Sequence, residues 1–229
     1  MRLTIDPRDA LVVVVPAEMA GFDPTEVLLE RRDWIERTLA VFAARRAELQ
    51  RDAGDLLPDE IAFAATGERW PVCYRPSATS RVSAREVGGV VVVTGGQADA
   101  PARRAALVRW LQRAARARLL PMLAEESRRT GVVYAAAGVR GQRGRWAGCS
   151  RSGTITLNRA LLFLAPELVR ATIRHELAHV HHPDHSQAFY LELARLDPEH
   201  RLHAETIAAC WDALPAWAEP PSADKEMRE

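Results

Sequence analysis

His175-Glu176-Leu177-Ala178-His179 is the stretch from which the rest of this chain is read. Two histidines four residues apart lie one turn apart on one face of an α-helix, where both imidazoles can hold a single ion. Zinc takes nitrogen ligands at about 2.0–2.1 Å in tetrahedral geometry. Glu176 follows the first histidine and projects beside that face, placed to take a proton from activated water. Val169, Ile173, Leu177 and Val180 give the same segment an apolar stripe at helical spacing. Ala165-Pro166-Glu167 opens the helix, because proline fits the first helical position and a glutamate there suits the helix dipole. The helix runs to about His181 and must stop near Pro183. The competing reading is an ordinary amphipathic helix with solvated histidines.

A catalytic zinc site needs three protein ligands and one open position. The third candidate is His185, six residues after His179. The turn His182-Pro183-Asp184 leads out of the helix, and Ser186 can cap the next one, which carries Phe189, Leu191 and Leu193 and ends near Pro198. His181 and His182 continue the first helix on other faces and are worse placed. The bland alternative for His185 is a surface loop histidine. Arg143, Arg145 and the amides of the loop Gly144 to Ser150 are candidates for stabilising a developing oxyanion. That loop reads equally well as a packed connection around a buried Trp146.

All seven histidines fall between His175 and His203, so histidine chemistry is centred on one C-terminal segment. The only lysine is Lys225, which excludes a P-loop lysine, a Schiff-base lysine or a Ser-Lys dyad within the fold. Three separated cysteines, Cys73, Cys149 and Cys210, point to reduced thiols rather than a disulfide framework. The 229 residues, 48% apolar and 27% charged, carry a net charge of +1, so no global field draws the chain to nucleic acid or anionic membrane. The N-terminus does not read as a signal peptide and no apolar run is long enough to span a bilayer. A cytoplasmic protein is expected.

Residues 1–100 read as a strand-rich N-terminal region with one long helix. Leu11 to Val15 is a β-branched run. A helix capped by Asp23 or Thr25 is expected to reach about Leu49, and a long loop to span Asp52 to Glu60. Strands are expected at Ile61–Ala65, Pro71–Tyr74 and Val90–Thr94. Gly95 to Pro101 is taken as the domain boundary. The segment 101–217 opens with an arginine-rich helix whose apolar stripe is Val108, Leu111, Ala115, Leu119 and Met122. Arg104, Arg109, Arg113 and Arg116 are assigned to a solvated face. Pro121 should kink this helix or start another, and Gly131 ends it. Strands follow at Val132–Val139 and Thr154–Leu157. Residues 218–229 are expected to be disordered. The fold class is α+β.

Arg145 to Ser150, Thr154 to Asn158, His175 to His179, His185-Ser186 and Phe189-Tyr190 together resemble the YgjP-like metallopeptidase-domain family, relatives of the SprT-like zincins. The resemblance is strong over residues 100–200 and looser before them. It implies a zincin-like metal-binding domain with three histidine ligands, mapping onto His175, His179 and His185, and a glutamate base, mapping onto Glu176. Two departures stand out. Gly144-Arg145-Trp146-Ala147-Gly148-Cys149-Ser150 replaces the family's usual Ser-Arg-Trp-Gly-Ser-Cys-Ser, and Tyr190 stands where tryptophan is usual. Arg143, Arg145 and Tyr190 are therefore the candidate substrate contacts.

The resulting expectation is a zinc-dependent peptidase, with another divalent metal as the variant. A nucleotide or phosphate-ester hydrolase on the same site is the first alternative, favoured by the arginines. A DNA-associated protease is disfavoured by the neutral charge and the lack of a nucleic-acid module. A non-catalytic metal scaffold has no use for Glu176.

Overall fold

The computed structural model describes residues 2–6, 10–14, 32, 57–95 and 100–218. The chain divides into two units, Met1–Leu56 with Pro221–Glu229, and Leu57–Pro220. In the first, strands β1 (Arg2–Asp6) and β2 (Ala10–Val14) pair antiparallel, from Arg2 opposite Val14 to Asp6 opposite Ala10. The β-branched run thus forms a strand, as its composition requires. The helix expected to reach Leu49, most of the loop after Asp52 and the tail beyond 218 lie outside the described residues.

The second unit is a mixed α/β fold. Strands β3 (Glu60–Phe63), β4 (Glu68–Pro76), β5 (Ser83–Val87) and β6 (Val90–Gly95) form a sheet in the order β3-β4-β6-β5, with β4 and β6 parallel and the other pairs antiparallel. The β5–β6 hairpin turns through Gly88 and Gly89, with φ of 57° and 79°. Two positive φ values in succession suit glycine and match the strands' twist. Strand β5 escapes sequence reading because Ser-Ala-Arg-Glu-Val lacks a clean apolar alternation. Val91 and Val93 of β6 and Ile61 and Phe63 of β3 are buried in alternation with more exposed neighbours.

Helix α1 (Ala100–Thr130) follows and runs unbroken past Pro121. Neither the expected second helix nor a break occurs, because fully buried Leu119 and Leu123 hold the helix on either side of the proline. Its buried face is Leu107, Trp110, Leu111, Ala114, Ala115, Leu119 and Leu123, so the expected stripe is rotated: Val108 and Met122 lie at its margin. Arg109, Arg113 and Arg116 are exposed, in line with the expected solvated face, but three of the four arginines named there also bond backbone carbonyls. Arg104 donates to the carbonyls of Ala216 and Trp217, Arg109 to that of Val82, and Arg113 to that of Ala84. Gly131, at φ 75°, ends the helix.

A second sheet of order β7-β9-β8 comprises β7 (Ala136–Arg140), β8 (Ala147–Cys149) and β9 (Thr154–Asn158), with β7 parallel and β8 antiparallel to β9. The strand expected from Val132 starts only at Ala136, where the partner residue Thr154 begins β9. A 3₁₀ turn at Arg159–Phe163 leads to helices α2 (Pro166–His181), α3 (Gln187–Leu196) and α4 (His200–Ala209). The composition break at Gly95–Pro101 lies between β6 and α1, inside this second unit, and residues on both sides of it contribute to one hydrophobic core from Ile61 to Ala218. No described helix is long and apolar enough to cross a membrane.

Candidate metal centre

Helix α2 begins at Pro166 with Glu167 in its first turn and buries Leu168, Val169, Ile173 and Leu177 against the core. That packing fixes the helix rotation, so His175 and His179 emerge together beside the apolar face. After His181 the chain turns extended at His182, whose N–H donates to the carbonyl of Ala178. The Asp184 carboxylate accepts from the Ser186 N–H at 3.3 Å, and the Ser186 hydroxyl caps α3 through the N–H of Phe189. This corner returns His185 to α2. The rings of His175, His179 and His185 lie 4.7–5.5 Å apart by centroid, and one ligand nitrogen from each falls within 4.8 Å of the others.

Phe189, fully buried, forms the floor beneath all three rings. It stacks on His179 at 4.4 Å and meets His175 and His185 edge-on. His179 Nδ1 lies 3.0 Å from the carbonyl oxygen of His182, the arrangement in which Nδ1–H donates and Nε2 is left for an ion. Burial pushes His175 down to about 4, helped by the neighbouring His179, His185 and His200, and burial also lowers His179. Neutral imidazoles are the form that binds metal. Three converging nitrogens over an apolar floor therefore suit zinc.

Glu176 is 5% exposed, and its Oε2 has no hydrogen-bond partner. Burial pushes its carboxyl up to about 7, against the opposing pull of the Arg145 guanidinium and the backbone amide of Cys149. A carboxyl near neutrality with one uncommitted oxygen can both accept and return a proton at physiological pH.

The loop before the site is held by buried Asn158. Its amide donates to the carbonyls of Gln142 and Arg145, both at 2.8 Å, while its own oxygen caps the following 3₁₀ turn. Trp146 stacks on Trp211 at 3.9 Å between centroids, so the expected buried tryptophan is present. A cavity of about 720 Å³ opens beside the histidines. His175, Glu176, His185, Arg145 and Tyr190 line it, whereas Arg143 does not. Among the residues proposed as substrate contacts, then, Arg145 and Tyr190 line the cavity and Arg143 does not. His181 approaches Glu192 at 3.7 Å and His182 supplies a carbonyl; neither joins the ligand set.

Sequence reasoning missed the far wall of the cavity. Asp197, His200, Arg201, His203 and Trp211 all line it. The available signal was the confinement of every histidine to residues 175–203, which left His200 and His203 without a role.

The family model described as YgjP-like, metallopeptidase domain, matches residues 1–209. Among solved structures, the metallopeptidase zymogen of Pyrococcus abyssi abylysin is similar at 26% identity, over 41% of this chain and 95% of that one, with a TM-score of 0.38. No curated protein matches the chain.

Proposed function

The chain belongs to the YgjP-like metallopeptidase-domain family, and from that membership we propose that it is a zinc-dependent peptidase of zincin-like architecture. His175, His179 and His185 hold the ion and Glu176 is the base. The observation that carries this reading is the buried, unpartnered Oε2 of Glu176 beside three converging imidazole nitrogens. A structural metal site needs no such group, and leaving it unpaired costs stability. Bound zinc would supply a Lewis acid for the scissile carbonyl and lower the pKa of water.

The residues of the chain divide the remaining work. Glu176 takes a proton on Oε2 and returns it to the departing amine. Phe189 excludes water from beneath the histidines. The His182 carbonyl keeps His179 in the tautomer that presents Nε2. Arg145 and Tyr190 contact the substrate at the cavity rim. Of the arginines that favoured a phosphate-ester substrate, Arg104, Arg109 and Arg113 of α1 donate to backbone carbonyls and do not line the cavity, whereas Arg145 does.

The test pairs metal analysis with activity. Glu176→Gln should retain zinc and lose peptide hydrolysis by at least ~10³-fold, whereas His179→Ala should lose zinc. Casein-like peptides and nucleoside triphosphates, each with and without a chelator, separate the substrate classes. Full peptide hydrolysis by Glu176→Gln would sink the assigned base.

A further inference from the structure

The cavity holds an imidazole that the proposed chemistry leaves unused. His203, on the first turn of α4, lines the cavity together with His175, Glu176 and His185. Its side chain is 14% exposed, and its Nδ1 lies 2.8 Å from Oδ2 of Asp197. Asp197 is itself 2% exposed and is held from behind by Arg174, whose Nη1 approaches Oδ1 at 3.8 Å. A buried carboxylate accepting from Nδ1–H fixes both the tautomer and the orientation of an imidazole, the role an aspartate plays behind the histidine of a catalytic triad. The opposite nitrogen, Nε2, has only the exposed Glu199 carboxylate near it, at 3.9 Å, beyond hydrogen-bond distance.

The other polar groups on the cavity wall are less well placed. Arg145 spends its Nε–H on the Ala147 carbonyl. His200 has Nδ1 at 3.1 Å from the Asp197 carbonyl oxygen. Arg201 is exposed and Tyr190 is 49% exposed. His200 and His203 both combine a tied Nδ1 with an Nε2 that makes no hydrogen bond among the described residues, and of the two only His203 is tied by a buried side-chain carboxylate. Around it the wall is apolar, with Leu193, Ala204, Ile207 and Trp211. An N–H on an otherwise apolar group is what such a site receives best.

We propose that His203 is a substrate-contacting residue of the metal-side cavity, with Nδ1–H committed to Asp197 and Nε2, the unprotonated nitrogen of that tautomer, left to accept a hydrogen bond from a backbone N–H of a peptide substrate. The inference rests on the peptidase reading for the identity of the substrate, not for the presence of the site.

The probe for binding is N-acetyl-leucine, which carries an amide N–H and an apolar side chain, titrated calorimetrically into the zinc-loaded full chain. Activity is read on casein-derived peptides. Asparagine places its amide nitrogen where Nδ1 sits, so His203→Asn keeps the tie to Asp197 and loses Nε2; His203→Gln can place its amide oxygen, an acceptor, at the Nε2 position. His203→Asn should bind N-acetyl-leucine at least ~5-fold more weakly and lower kcat/KM by about 10- to 100-fold, with zinc content and Tm unchanged. His203→Gln should recover part of both. If binding and hydrolysis by His203→Asn both equal those of the unmutated protein, His203 is only a helix tie and the inference fails while the peptidase reading stands. If the unmutated protein cleaves no peptide but binding still depends on residue 203, the peptidase reading fails and this site stands. Should His203→Asn melt early, the ¹⁵N shift of His203 Nε2 in the unmutated protein decides: no change on saturation with N-acetyl-leucine, or no binding at all, overturns the proposal.

Discussion

The guanidinium of Arg145 lies where a side chain on residue 148 would go. A Cβ on Gly148 would meet Arg145 Cζ at 2.7 Å and Nε at 2.9 Å, closer than carbon approaches either atom without displacement. Gly148 has no unusual backbone angle, so a larger residue is excluded there only by the arginine. The arginine is the movable partner. Gly148→Ser should push the guanidinium off the strand and break its 2.8 Å bond to the Ala147 carbonyl. A part-buried hydrogen bond contributes about 1 kcal/mol, so Tm should fall by only a few degrees. The effect belongs in KM for peptide, which should change several-fold while zinc content holds; an unchanged KM would remove Arg145 from the substrate contacts. At this scale the convergence of the three histidines was legible and the lining of the cavity only partly so. Two histidines at i and i+4 specify their own geometry once a helix is granted. That Arg145 lines the cavity and Arg143 does not is a matter of how the loop folds, and its anchor on Asn158, which bonds the carbonyls of Gln142 and Arg145, is one that no local spacing encodes.

Helix α2 was readable because its burial pattern follows its apolar periodicity, with Leu168, Val169, Ile173 and Leu177 inside. Helix α4 was not, because it buries no residue completely and its stripe is short. Strand β8 hid in a glycine-rich segment that pairs only through its backbone with β9. What aligns α1, α2 and the end of α3 is also invisible in sequence. Arg174 of α2 donates from Nε to Glu126 of α1 at 2.8 Å and reaches Asp197 at 3.8 Å. Both acids are nearly fully buried. Arg170 and Arg129 approach the other oxygen of Glu126 at 3.7 Å and 3.6 Å but make no hydrogen bond to it. Breaking a buried pair from one side strands a charge, at a cost of about 3 kcal/mol. Arg174→Ala should therefore lower the stability of the whole unit by that order in denaturant melts. Arg174→Lys should recover only part, since one ammonium cannot serve both acids as a planar fork does. A melt for Arg174→Ala within error of the unmutated protein would show that Arg170 and Arg129 suffice.

Across the whole unit, α1 is the spine on which both sheets and the histidine-bearing helix α2 converge. Its contact with the four-stranded sheet is made around Arg118. That guanidinium lies over the rings of Phe63 and Trp70 at 5.4 Å and 5.5 Å, bonds the Glu68 carboxylate through Nε and Nη2, and comes within 3.7 Å of Glu86. The Arg118 hydrogen bond holds the Glu68 carboxyl below its ordinary value of 4.5, outweighing the opposing effect of burial. A carboxyl lowered on folding stabilises the native state fully above its unfolded value. That contribution disappears as the pH falls through the lowered, folded value. Glu68 is partly exposed, so solvent screening limits the effect to on the order of 1 kcal/mol or less. Glu68→Gln should thus melt a few degrees lower than the unmutated protein at pH 7. The two should converge as the pH drops below the ordinary carboxylate range, where both carry a neutral side chain opposite Arg118. The site is on the sheet side of α1, away from the histidine cluster, so zinc content should be the same in both proteins. A Tm difference that stays constant from neutral to acid pH would mean that packing over Phe63 and Trp70, and not the ion pair, docks the sheet onto α1.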